Sequence, residues 1–137
     1  MKLEEVYDFM NQLEVVSMAT TEEDQPRVRV MALIPHNEIY WCCTITSRPK
    51  MNQFKANSKF EFCSIIKKND NLGSIRASGK VEIIEDLSIK KELSQAIPFF
   101  KGYWDDYTDP NFGLIRLDIN KINVQSPYDK KYYTYDL

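Results

Sequence analysis

The sequence predicts a mostly β domain: an antiparallel barrel of about six strands with two or three peripheral helices. Three observations carry this expectation. Runs of alternating or β-branched residues recur between turn signals. They follow one another mostly as hairpins, without the β-α-β alternation that a parallel sheet needs. Only a few stretches show helical spacing. The chain of 137 residues has no internal repeat, low-complexity segment or linker, so one domain over 1–137 is expected.

Each element has its own signal. "LEEVYDFMNQL" puts Leu3, Val6, Phe9, Met10 and Leu13 on one face of an amphipathic helix. "VVSMATT" is β-branched and strand-like, and "EEDQP" is a turn. In "RVRVMALI" Arg27, Arg29, Met31 and Leu33 face one way, and Val28, Val30, Ala32 and Ile34 the other. "PHNE" reads as a turn, placing His36 in a surface loop, and "IYWCCTI" as a third strand. A short helix over about 48–57 leads to the strand "KFEFCSIIK" and the hairpin-type turn "KNDNLG". "SIRASGKVEIIE" is a long strand with Ile75, Ala77, Gly79, Val81 and Ile83 on one face. Asp86 is placed to cap the next helix, whose apolar face is Ile89, Leu93, Ala96 and Ile97. "PFFKGYWDDYTDPN" is aromatic and irregular, and "FGLIRLDINKINVQ" is the last strand, before a polar, tyrosine-rich tail.

Composition excludes several classes. A net charge of -2 without a basic half argues against a nucleic-acid or anionic-membrane surface. The opening "MKLEEVYDFMNQL" puts acids where a signal peptide needs cations, and no apolar run approaches the roughly 20 residues of a membrane span, so the cytoplasm is the expected compartment. Cys42, Cys43 and Cys63 lie in apolar runs, an odd count with no CxxC, which fits buried thiols better than a disulfide framework or zinc site. With a single histidine, His36, neither a metal centre nor a His-activated nucleophile is expected. Nucleotide loops and hydrolase motifs are missing, and the paired acids fall in turns where water solvates them.

What remains is a cluster of cations and hydroxyls. In "ITSRPKMNQFKAN" Thr46, Ser47, Arg48 and Lys50 crowd the start of a helix, where free N–H groups already carry positive charge. A hairpin of the second and third strands would bring Arg29 near Thr44 and Thr46. Two readings stand open on the residues alone. The groups converge on a phosphate dianion, or the cations are solvated and a hydroxyl caps the helix.

The segment "MATTEEDQPRVRVMALIPHNEIYWCCTITSRPKMNQFKANSKFEFCSI", with "GSIRASGKVEIIED" after it, resembles the pyridoxamine 5'-phosphate oxidase-like family of flavin-binding split barrels. The ordered similarity covers roughly residues 14–86. "PFFKGYWDDYTDPNFGLIRLD" is similar to the nitroimidazole-resistance and general-stress branches. The resemblance implies a homodimer of split barrels holding FMN at the subunit interface. It implies that Arg29 reaches the flavin phosphate and that Val30 and Met31 present backbone to the isoalloxazine ring. Cys43 and Thr44 match the pair ending the third strand, Lys50 the phosphate-binding lysine that opens the helix, and Ser47 and Arg48 its further phosphate contacts. Ser74 and Arg76 fall where the partner subunit approaches the flavin.

Departures bear on the substrate. Ile34 stands where the oxidases carry a substrate-binding lysine, and "SPYDKKYYTYDL" lacks their terminal Arg and His, so oxidation of pyridoxamine 5'-phosphate itself is not expected. Asn57-Ser58 replaces the usual Asn-Pro. The expected function is an FMN-dependent oxidoreductase that reduces a small electrophile such as a nitroaromatic or quinone, with Trp41, Tyr103 and Trp104 as candidate pocket aromatics. For the tryptophans, core packing is the competing reading. The alternatives are a non-catalytic flavin carrier or sensor, and a cofactor-free dimeric binding module. The aromatic stretch from Phe99 to Phe112 also asks for a cover, which a second subunit would supply.

Overall fold

The computed structural model describes the backbone of residues 1–137 and all side chains except that of Lys50. Helix α1 (Leu3–Gln12) precedes strands β1 (Val15–Glu22), β2 (Gln25–Ala32), β3 (Ile34–His36) and β4 (Ile39–Ile45). Helix α2 (Pro49–Ala56), strands β5 (Lys59–Lys68) and β6 (Asn71–Ile84), and helix α3 (Leu87–Ala96) follow. A 3-10 turn (Phe100–Gly102) and strands β7 (Phe112–Gln125) and β8 (Tyr132–Asp136) complete the chain.

The strands form one antiparallel sheet in the order β2-β1-β5-β6-β7-β4-β3, with β8 paired to the far half of β7. Eight strands replace the six expected. The first extra strand arises because the run from Arg27 to Ile34 breaks at Leu33. Its continuation, β3, pairs with β4 across a two-residue turn in which Asn37 and Glu38 take φ of 53° and 62°. His36 therefore lies in a strand rather than a loop. The second is β8, in the stretch read as a tail.

The sheet curls around one core. Val16 and Met18 of β1, Phe60, Phe62 and Ile66 of β5, and Ile75, Ala77 and Val81 of β6 point inward at period-2 spacing. Val6 and Met10 of α1 and Met51 and Phe54 of α2 join the same cluster. Fully burying side chains of this size stabilises by about 1.5–3 kcal/mol each. Gly79 occupies a register shift between β6 and β7, where an added Cβ would stand 1.9 Å from the Asp118 carbonyl oxygen. The tight approach, rather than the backbone angle, demands glycine there.

A second apolar cluster lies on the outer face, where Leu93 and Ile97 of α3 and Phe100 and Trp104 cover Ile34, Trp41, Phe112 and Leu114. The Asp86 carboxylate caps α3 by accepting from the Ser88 and Ile89 backbone N–H groups at 2.8 and 3.2 Å. Another part of the outer face is bare. The valines of β2 alternate outward, leaving Val28 and Val30 at 70% and 68% exposure beside Val15, Ile65 and Leu72.

Candidate functional site

The sheet does not close. β2 ends it on one side, and the three-residue β3, paired only with Ile39–Trp41 of β4, ends it on the other. A cavity of about 310 Å³ opens at this seam, within the range of small-ligand clefts. One wall is the end of β2, with Val30, Met31 and Ala32, and the other is the end of β4, with Cys43, Thr44 and Ile45. Arg48 stands at the mouth, and Phe99, Tyr103 and Trp104 form the aromatic side.

Two buried polar atoms of residues in this lining have no hydrogen-bond partner among the described residues: the Thr44 hydroxyl and the Trp104 indole nitrogen. Both residues are only 4% exposed. An unpaired buried polar group costs about 1–3 kcal/mol, and here both belong to the same cavity. Gly113 of β7 lets Thr44 sit close: a Cβ there would lie 2.9 Å from the Thr44 carbonyl oxygen and 3.3 Å from its methyl group.

The cation cluster divides in two. Arg48 is the N-cap residue of α2, with Pro49 at the first helical position. The first turn of α2 carries no acid and its cap has no side-chain hydrogen bond, so the helix end keeps its positive character. Arg29 lies elsewhere than the hairpin expectation put it, because β2 pairs with β1 and not with β4. Its guanidinium points inward toward α2, donating to the Thr20 hydroxyl at 2.8 Å and to Gln53 Oε1 at 2.6 Å. Gln53, itself buried, also accepts from Thr20 and donates to Glu22. Burial, and then the neighbouring Arg27, push the Arg29 pKa down, while Glu22 pushes it up. Arg29 is thus a part-buried cation whose guanidinium donates to neutral oxygens.

The cavity lining gathers Val30, Met31, Cys43, Thr44 and Arg48 from the expected set. Exposed Ser47 lies in the adjoining turn, and the Lys50 side chain is outside the described residues. Ser74 and Arg76 face outward from β6: Arg76 pairs with Glu61 at 3.5 Å, and Ser74 lines an outer groove with Val15, Cys63 and Ile65. Val30 lines both the seam cavity and that groove. The sequence reading missed Thr20 and Gln53, although a threonine at an inward position of β1 signalled a buried polar contact. Trp41 belongs to the outer core and donates to the His36 carbonyl at 3.2 Å, whereas Trp104 is both core and cavity wall. Among the described residues no group of three or more His, Cys, Asp or Glu side chains is placed to hold a metal, and no helix is long and apolar enough to cross a membrane.

Residues 3–126 match the sequence profile described as pyridoxamine 5'-phosphate oxidase. The chain belongs to this family. Solved structures share its fold at low identity. A NimC/NimA family protein from Clostridium acetobutylicum aligns with a TM-score of 0.79 at 21% identity, over 96% of this chain and 92% of its own. A protein related to general stress protein 26, from the same organism, aligns at 0.80 and 19% identity, over 98% and 94%. A heme-binding protein from Mycobacterium smegmatis aligns at 0.80 and 12%, over 97% of this chain but 57% of its own. Among curated protein sequences there is no match. In this pyridoxamine 5'-phosphate oxidase-type chain the split of the barrel and the cavity coincide.

Proposed function

We propose that the protein is an FMN-binding flavoprotein of the cytoplasm that reduces a small electrophile such as a nitroaromatic or quinone. The observation that carries this reading is the seam cavity, walled by the ends of two strands and lined by Thr44, whose buried hydroxyl has no partner among the described residues. A planar ring with nitrogen and oxygen atoms around its rim is the ligand such walls suit, with Val30 and Met31 on one side and Cys43 and Thr44 on the other. The phosphate would sit at the α2 N-terminus, against Ser47, Arg48 and Lys50. Arg29 would supply further positive charge from within the barrel, through the donors that Thr20 and Gln53 leave free. Bound flavin would supply two-electron chemistry between a hydride donor such as reduced nicotinamide and the acceptor. The chain's part is to fix the ring, exclude water and hold the acceptor beside it.

A second copy docked on the bare face of β2, β1, β5 and β6 would complete the site. That face is apolar around Val28, Val30, Val15 and Ile65 and meets the seam at Val30, so the partner's surface, with its own Ser74 and Arg76, would approach the flavin. The family profile and the nitroimidazole-resistance and stress-protein folds support this reading. The fold of the heme-binding protein raises heme instead. However, His36 is not among the cavity's lining residues, and its Nε2 lies 3.0 Å from Glu92.

Comparing FMN with riboflavin, which lacks only the phosphate, tests the assignment. FMN should bind about 100-fold more tightly or better, as expected from two or more charge-assisted hydrogen bonds. Arg48→Ala combined with Lys50→Ala should remove most of that difference. Equal affinities in the unmodified protein would refute the phosphate site, and failure to bind either flavin would refute the flavin reading.

A further inference from the structure

Two adjoining cavities lie away from the seam, between helix α1 and the β3–β4 turn. They measure about 400 and 220 Å³, share Tyr7, Glu38 and Tyr40, and have no lining residue in common with the seam cavity. The Tyr7 and Tyr40 rings stand 6.4 Å apart between centroids and within 19° of parallel. Their π faces, which carry the negative part of the aromatic quadrupole, therefore share one orientation. Tyr40 is the inner, buried ring, fixed by a hydrogen bond from its hydroxyl to Asn11 Oδ1 at 2.7 Å. Burial, then Tyr7 and Asp8, push the Tyr40 phenol up to about 12, so it stays neutral. Tyr7 is only half-buried, and its ring keeps accessible surface. The charge around the cavities has one sign. Glu38 is exposed at the turn and enters no ion pair among the described residues. Asp118, the other charged lining residue, is paired with Arg116 at 3.1 Å. Among the described residues no Lys or Arg lines either cavity.

We infer that these cavities form a binding site for a small organic cation, an N-methylated ammonium ion held against the Tyr7 ring with Glu38 as its counter-charge. Other ligand classes fit less well. An anion would meet Glu38 and no described cation. A metal ion needs several oxygen, nitrogen or sulfur ligands, and among the described residues no group of three or more His, Cys, Asp or Glu side chains is placed to supply them. A bare ammonium has three N–H donors to satisfy, whereas the wall beyond the rings is Ile39, Leu117 and Ile119. Methyl groups suit that wall, and a cation within about 6 Å of a tyrosine ring centre is attracted by its quadrupole. The site is independent of the flavin reading, since it shares no lining residue with the seam.

Choline and dimethylbutanol, the uncharged analogue in which a quaternary carbon replaces the nitrogen, are probes of one shape that differ in charge. In protein labelled with ¹⁵N and titrated at constant ionic strength, choline should move the backbone signals of Tyr7, Glu38 and Tyr40 saturably. Its N-methyl protons should shift upfield in the ring current of Tyr7. The alcohol should bind at least about 5-fold more weakly, the combined worth of one cation–π contact and one exposed ion pair. Tyr7→Leu, which keeps apolar area and removes the ring, should weaken choline about 2- to 5-fold, and Tyr7→Phe should restore it. Glu38→Gln should weaken choline about 2-fold or more and leave the alcohol unchanged. It sits at an exposed turn, so it decides the question even where Tyr7→Leu fails to fold. Equal affinities for choline and the alcohol would reduce the site to an apolar hollow and overturn the inference. Choline binding that ignores Glu38→Gln, or choline shifts confined to other parts of the chain, would overturn it as well.

Discussion

Replacing Thr44 by valine gives changes of opposite sign in stability and in binding. The Thr44 hydroxyl is buried with no hydrogen-bond partner among the described residues, so the valine variant loses no hydrogen bond seen there and is relieved of a desolvated polar group. Removing such a group is worth about 1–3 kcal/mol. Valine keeps the branched shape beside Gly113, where a Cβ on the glycine would come within 3.3 Å of the Thr44 methyl group. Allowing for imperfect repacking, a gain of about 1 kcal/mol is expected. In a domain of this size that raises the thermal midpoint by roughly 4 °C. The same change should weaken FMN by about 3- to 10-fold if the hydroxyl contacts the flavin, one neutral hydrogen bond's worth. Differential scanning calorimetry of flavin-free protein and quenching of flavin fluorescence read the two effects separately. A variant that loses stability without ligand would show that the hydroxyl has an internal partner. Unchanged FMN affinity would remove Thr44 from the site.

Gly79→Ala forces a Cβ against the Asp118 carbonyl at 1.9 Å and should cost more than about 3 kcal/mol, read by urea unfolding. Glu92 joins α3 to the β3–β4 turn, and hydrogen bonds from His36 and then Asn37 hold its pKa below the ordinary 4.5. A lowered carboxylate pKa stabilises the fold above the ordinary value, and this is lost as pH falls through the lower folded value. Thermal midpoints of the unmodified protein and Glu92→Ala should therefore differ above pH 4.5 and converge below it; a gap independent of pH would contradict the pairing. Val30→Lys adds charge at a position 68% exposed in the single chain, so the fold should survive while sedimentation shifts from dimer to monomer. A monomeric unmodified protein would refute the proposed interface.

How much the sequence disclosed follows from the range of the forces involved. Helix α1 and strand β5 were legible because apolar spacing is local, and Asp86 because a cap acts within one turn. β8 was hidden: its tyrosines alternate between half-buried and exposed with no apolar run, and the strand exists because β7 is long enough to offer it an edge. The arginine pattern of β2 showed two faces but not which was inward, since the exposed valines look like core until a partner surface is considered. The cavity walls at Val30, Met31, Cys43 and Thr44 came from the family resemblance. The seam that makes them walls is a product of strand order, which no local window contains. Trp104 could be named as aromatic, but its unpaired N–H depends on what the fold brings near it.

The visible absorption spectrum of the protein as purified, and again after incubation with FMN and desalting, tests the central claim most directly. The account predicts a yellow protein in at least the second sample, releasing FMN on denaturation with about one flavin per chain. A colourless protein in both samples would contradict it, leaving the split barrel intact and its seam without a flavin.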